Sequence, residues 1–133
     1  MRFNYYCLSL EKFRKVRFIR TKKDYFNKNS IPITEVFGID GSKYKSSIEI
    51  AKLYNLKLGN KLKKSSPILT AIAQSHRNIW KKIINDTSDY TIIFEDDIKI
   101  NNNNFKNDLE IIIKEYNKLK SPKILLLGYL YVD

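Results

Sequence analysis

The chain has a single cysteine, Cys7, and a single histidine, His76. One thiol gives no disulfide framework and no thiolate zinc site. No apolar run approaches the ~18 residues that a membrane span needs. The first ten residues carry no long apolar stretch or cleavage site of signal-peptide type, so a reducing, cytoplasmic setting is the expectation. Acid is scarce as well: 14 Asp and Glu stand against 25 Lys and Arg, a net charge of +11. What is present is enough apolar material for a core, at 43% hydrophobic and 13% aromatic in 133 residues. A single domain over residues 1–133 is expected, burying about two-thirds of the surface its unfolded chain exposes. Disorder of the whole chain is excluded.

The charge is unevenly spread. Residues 1–64 hold 16 basic and 5 acidic side chains, and residues 65–133 hold nine of each. An anionic ligand is one reading of the excess: nucleic acid, a membrane, or the phosphates of a nucleotide. Coding composition is the other. Lys outnumbers Arg 20 to 5, and Lys, Asn and Ile make up 52 residues, as an A/T-rich genome would dictate without selection for binding.

Alternating short apolar segments and helical stretches organise the sequence. Residues 3–10, aromatic and free of Gly and Pro, predict a first strand. Glu11 to Phe26 predicts a helix, although Phe13, Val16, Phe18, Ile19 and Phe26 are spaced unevenly. Ile33–Phe37 predicts a second strand, ended by Gly38-Ile39-Asp40-Gly41, where glycine permits a turn. Ser46 or Ser47 would cap a short helix, and Lys57–Ser65 reads as a loop. Ser66 as cap and Pro67 at the first helical position open the clearest helix, to about Asn85. Its apolar residues, Ile68, Leu69, Ile72, Ala73, Ile79, Trp80, Ile83 and Ile84, form one stripe expected to face the core. Tyr90–Phe94 predicts a third strand, 105–119 a helix with Leu109, Ile112, Ile113 and Tyr116 inward, and Lys123–Leu127 a fourth strand. Such alternation implies an α/β fold, mostly a parallel sheet with helices on both faces. Ligands of open parallel sheets bind beyond the carboxyl ends of the strands.

Two polar clusters sit at such ends: Gly38–Gly41 and Glu95-Asp96-Asp97. Three adjoining carboxylates repel one another, and a divalent cation removes that cost. Oxygen ligands suit Mg²⁺ or Mn²⁺, which bind through one or two carboxylates plus diphosphate oxygens. In extended backbone Glu95 and Asp97 point to one side and Asp96 to the other, so one site would use the first and third. A solvated acidic turn is the alternative.

The order of motifs resembles glycosyltransferase family 25, which includes lipopolysaccharide and collagen galactosyltransferases. The family's first strand ends in Asn-Leu followed by basic residues; Ser9-Leu10 precede Lys12, Arg14 and Arg17 here. A second strand leads to Asp-Gly, as Val36-Phe37-Gly38-Ile39-Asp40-Gly41 does. A helix opening Thr-Pro-Gly-Glu-Ile-Gly-Cys and carrying Ser-His and Ile-Trp is matched by Ser66–Ile72, Ser75-His76 and Ile79-Trp80. Leu-Glu-Asp-Asp is matched by Phe94-Glu95-Asp96-Asp97, and a final Leu-Gly by Leu127-Gly128. Departures are Ile68 and Ala71 for the two helix glycines, Leu69 for the Glu and Ser9 for the Asn. The resemblance implies a GT-A type sandwich truncated at its C-terminal side, with a UDP-sugar donor such as UDP-galactose or UDP-glucose. It also implies Mn²⁺ or Mg²⁺ as cofactor, with Asp97 as main metal ligand and Glu95 beside it. Glu95 and Asp96 would help through water, the ribose or the sugar. Ser9 and Leu10 would lie at the nucleotide, and Asp40 near the nucleoside. Transfer would invert the anomeric centre onto a hydroxyl of a glycan or protein, which needs a base. Asp133 is an available carboxylate, but no residue is assigned to that role.

His76 is expected to hydrogen-bond across a helix–sheet interface, Trp80 to anchor the core, and Cys7 to be a small buried hydrophobe. Arg14 and Arg17 could reach a diphosphate or lie solvated. The Lys123–Leu127 strand could pair two copies into a homodimer. The competing reading is a non-enzymatic nucleic-acid binder, resting on charge and on Tyr and Phe scattered among Lys. The acidic triplet and the lack of a nucleic-acid module weigh against it.

Overall fold

The computed structural model describes residues 1–100 and 104–119. The chain divides into two units, Met1–Asn103 and Asn104–Asp133. Three strands form the sheet of the first unit: β1 (Phe3–Ser9), β2 (Ile33–Phe37) and β3 (Tyr90–Glu95). All pairings are parallel, in the order β2-β1-β3. Ser9 pairs with Phe37 and Leu8 with Glu95, so the three carboxyl ends finish side by side. The expected Lys123–Leu127 strand, with Leu127-Gly128 and Asp133, lies outside the described residues.

Alternation along β1 sets the two faces. Tyr5, Cys7 and Ser9 are buried on one side. Cys7 pairs with Phe94 and Tyr5 with Ile92 on the same side. The rings of Tyr5 and Phe94 stack at 6.4 Å, and Phe26 packs 5.1 Å from Phe94. Phe26 is completely buried, a contribution of about 2–3 kcal/mol from area alone. Leu8 lies on the opposite side. Gly38 places it there beside the later helix, because an added Cβ would meet Leu8 Cδ1 at 3.0 Å and Ser75 Oγ at 3.2 Å. Helical segments therefore cover both faces.

The expected single helix over Glu11–Phe26 is instead three pieces. A 3-10 turn (Glu11–Phe13) is followed by α1 (Phe18–Thr21) and a π-helical turn (Lys22–Phe26). The inward residues explain the break: Phe18, Thr21 and Phe26 are buried, at spacings of three and five. At 100° per residue the three would spread over an arc of about 140°, and the wider π turn narrows that spread by carrying Phe26 round to the core.

After β2 the turn works differently from the expectation. No glycine has positive φ among the described residues. Gly41 is required by proximity, since a Cβ there would lie 2.6 Å from the Cα of Ile68. Asp40 caps the 3-10 turn Gly41–Lys43 by accepting from the Ser42 N–H. Ser46 caps α2 (Ser47–Leu53) by accepting from the Glu49 N–H. Within the expected loop 57–65 there is a short helix, α3 (Asn60–Lys63).

The long helix α4 (Pro67–Ile83) is capped by Ser66 with Pro67 in its first turn, as expected. Its buried face is not the apolar stripe. Thr70, Ala71, Gln74, Ser75 and Ile79 face inward, whereas Ile68, Leu69, Ile72, Trp80 and the following Ile84 are exposed. Trp80, at 48% exposure, is no core anchor. Small and hydroxyl side chains are used inward because the backbone of the β2 turn comes so close. Ser75 Oγ accepts the Ile39 N–H at 2.8 Å and donates to Ala71 C=O at 2.7 Å.

In the second unit, α5 (Phe105–Tyr116) buries Leu109 and Ile113 as expected, but Ile112 is exposed. No helix of the described residues is long and apolar enough to cross a membrane.

Candidate nucleotide-sugar site

The carboxyl ends of β1 and β2 border a hollow of about 510 Å³, a volume in the range of small-molecule sites. Leu10, Lys12, Asp40, Lys43, Tyr44 and Tyr54 are among its walls. Asp40 is its most ordered polar group. Asp40 Oδ1 accepts from Lys12 Nζ at 2.8 Å, from Ser42 Oγ at 2.6 Å and from the Ser42 N–H at 3.1 Å. Those bonds, the Lys12 one first, hold the carboxyl down at about 2 from its ordinary 3.8. Lys12 Nζ also donates to Ser42 Oγ at 2.7 Å. All the donors meet one oxygen, which leaves Oδ2 for another partner.

The acidic tip of β3 lies on the other side of β1 in the sheet and is not among the walls of the hollow. Its three carboxylates differ. Glu95 is exposed and meets His76 Nε2 at 3.3 Å, which pulls its carboxyl below the ordinary range. This bond from α4 to the end of β3 is the interface role expected of His76. Asp97 is exposed. Asp96 turns inward and is only 6% exposed. Burial raises its carboxyl above the ordinary value, against the pull of the Leu10 backbone N–H and of Arg17. Arg17 stands 3.8 Å from Oδ1, and Oδ2 has no partner. The Asp96 carbonyl accepts from Thr21 Oγ1 at 2.7 Å, tying the tip to α1. Among the described residues no three His, Cys, Asp or Glu side chains converge as a cation cage.

Leu10 stands between the two places, for it walls the hollow and its backbone N–H draws on the Asp96 carboxyl. Ser9 is buried, and its hydroxyl donates to Glu35 Oε1 at 2.8 Å. Arg14 Nε reaches both oxygens of Glu35, at 3.1 and 2.9 Å. Arg17 packs over the Phe13 ring at 4.2 Å. Of the sequence-predicted set, Leu10 and Asp40 therefore meet at the hollow and Glu95, Asp96 and Asp97 at the neighbouring tip, while Ser9 faces Glu35. Lys43, Tyr44, Tyr54 and Glu35 were not expected. Tyr44 had a signal, since it follows directly on the turn after a strand's carboxyl end. Cys7, fully buried as expected, has its thiol pushed up to about 12 by burial and then by the carboxylates around it.

Residues 3–131 match the model of glycosyltransferase family 25, described as LPS biosynthesis protein. The chain belongs to glycosyltransferase family 25. No curated protein and no solved structure gives a match. The family-25 match runs through the hollow and the acidic tip alike. Both departures at the start of α4 now have a structural setting. The close backbone approach that helix glycines would permit at 68 and 71 is made from the other side, by Gly41. An added Cβ at Gly41 would also lie 3.0 Å from the Ala71 Cβ, so only a small residue fits at 71.

Proposed function

We propose that this glycosyltransferase family 25 chain takes a UDP-sugar, such as UDP-galactose or UDP-glucose, and transfers the sugar with inversion to a hydroxyl of a glycan or protein. The observation that carries this reading is the hollow beyond β1 and β2, with Leu10 in its wall and the acidic tip of β3 on the other side of β1. A nucleoside fits the hollow. Asp40 Oδ2 is an acceptor for its ribose hydroxyls, and Tyr44 and Tyr54 supply aromatic surface for the base. The diphosphate then runs past Leu10 toward Glu95–Asp97, with Lys12 and Lys43 as its nearest wall cations.

The donor set fits Mg²⁺ or Mn²⁺ only in part. The oxygens are right for a hard cation, but among the described residues too few converge to hold one without the ligand's own phosphate oxygens. Asp97 with Glu95 would hold the ion, Glu95 giving up or sharing its bond to His76. When bound, the ion neutralises charge on the departing diphosphate. Asp96 serves the nucleotide through the Leu10 backbone, and Ser9 through Glu35. Arg14 is occupied by Glu35 and is not a phosphate ligand here.

Melting with UDP, UDP-glucose, UDP-galactose and UDP-GlcNAc, each with and without Mn²⁺, tests the reading. A metal-dependent rise that Asp97→Ala removes is expected, together with slow hydrolysis of the preferred UDP-sugar. No shift with any of the four, beside salt-sensitive binding of single-stranded DNA, would favour the nucleic-acid reading instead.

A further inference from the structure

Between Ile50 and Asn85 the chain has eight Lys and Arg and no Asp or Glu. All eight are exposed, and none forms an ion pair with a described residue. Elsewhere in the unit Arg2, Lys12, Arg14 and Arg17 each stand beside an Asp or Glu, and the other cations have acidic residues interspersed among them in the sequence. Coding composition explains many lysines, but it does not explain a stretch from 51 to 84 without one acidic residue.

The same segment carries the apolar stripe that α4 turns away from the core. Ile68, Leu69, Ile72, Trp80 and Ile84 are 50%, 55%, 45%, 48% and 76% exposed. At 100° per residue they fall within one arc of about 160°. Arg77 and Lys81 follow along its edge. A second apolar hollow of about 260 Å³ lies nearby in sequence, with Ile48, Ala51, Leu56 and Leu58 in its walls beside Lys52 and Lys63. Uncompensated cations next to exposed Ile, Leu and Trp on a helix of low mean hydropathy are the chemistry of an interfacial helix.

We propose that the exposed face of α4, with Arg77, Lys81 and Lys82 of the same helix and the cations of the segment that precedes it, docks the protein on an anionic lipid surface. A nucleic acid would use the cations, but four aliphatic side chains on the stripe offer it nothing. A second copy would set eight uncompensated cations against the same eight. A lipid bilayer meets both halves, with its anionic headgroups on the cations and its acyl boundary on the stripe. None of the stripe residues walls the donor hollow, so the inference stands independently of the UDP-sugar reading.

Trp80 is the only tryptophan and lies in the stripe, so its emission reports this face alone. The full chain is floated with phosphatidylcholine vesicles containing none or about a third phosphatidylglycerol. Binding to the anionic vesicles only, a blue shift of Trp80, and release by added salt are expected. Replacing Arg77, Lys81 and Lys82 by Gln should weaken partition about fivefold per charge. Replacing Lys22, Lys23 and Lys28 by Gln removes equal charge elsewhere and should weaken it much less. Ile68→Ser with Leu69→Ser should cut partition with the melting temperature held, since both side chains are already in water. Flotation without a Trp80 shift, equal losses in the two charge sets, or a Trp80 shift caused by self-association without vesicles would each overturn the proposal. So would a preference for single-stranded DNA over anionic vesicles.

Discussion

Asp40 carries a proton-linked contribution that can be read directly. Its carboxyl is lowered from 3.8 to about 2 by Lys12 and Ser42. A lowered carboxyl stabilises the fold above its unfolded value, and that contribution is lost as pH falls from about 4 through about 2. Lys12→Met removes the largest cause. The Asp40 midpoint should then rise toward the ordinary carboxylate value in a carbon-13 carboxyl titration, and the variant should lose stability above pH 4 but not below 2. An unchanged midpoint would mean that Ser42 alone sets it. Cys7 makes a second residue-scale case. With its thiol at about 12 and no exposure, it should resist a thiol reagent at pH 8 in the native protein. Labelling should appear only with denaturant, at the rate of unfolding. Gly41 is the third. Its absent Cβ is replaced by the backbone of Ile68, and backbone cannot swing aside as a side-chain tip does. Gly41→Ala should cost about 1–3 kcal/mol in urea unfolding, the range of forced overpacking. Gly59, which has open space at the same position, should accept Ala within about 0.5 kcal/mol.

The elements divide sharply by how far local rules govern them. β2 at Ile33–Phe37 was legible to the residue because a β-branched run is bounded by polar and glycine punctuation. The start of α4 was legible because Ser66 and Pro67 are chemically suited to those two positions. Which face of α4 is buried was not legible. Periodicity detects an amphipathic helix but takes its apolar side as the inner one. Here the inner side must fit within van der Waals contact of the Gly41 backbone and satisfy the Ile39 N–H, and Ala71 and Ser75 do that where Ile or Leu could not. The segment 11–26 failed for a related reason: its buried Phe18, Thr21 and Phe26 are carried by turns of different pitch, the last a π turn that brings Phe26 against Phe94. At the site, the strand-end rule located Asp40 and the acids and extends to Tyr44, but not to Tyr54, whose place depends on where α2 ends. Stability measurements should separate the faces of α4. Ile79→Ala, fully buried, should cost about 2–5 kcal/mol, and Ser66→Ala about 1 kcal/mol for the lost cap. Ile72→Ser should cost under about 0.5 kcal/mol. A large loss at Ile72 would mean that the stripe is covered in solution.

At the scale of the whole molecule, the sheet order decides which strand ends flank the segment that leaves β1. β1 is central, so the segment leaving it touches the hollow on the β2 side and the acids on the β3 side. Asp96 is the inward member of the acidic tip, beside the Leu10 backbone, 3.8 Å from Arg17 and tied by its carbonyl to the Thr21 hydroxyl. Asp97 has no such inward role. The two neighbours should therefore respond in opposite ways to substitution. Asp96→Ala removes a buried side chain and the partner of Arg17 and should cost about 0.5–3 kcal/mol of stability. It should also weaken UDP binding in the absence of metal, because the backbone beside the hollow is released. Asp97→Ala should leave stability within about 0.5 kcal/mol and metal-free UDP binding unchanged, while removing the gain that Mn²⁺ confers. Calorimetric titration of UDP with and without Mn²⁺ on the two variants distinguishes these roles. Loss of metal-free binding in Asp97→Ala, with Asp96→Ala unaffected, would reverse the assignment and place the nucleotide directly on the outer carboxylate.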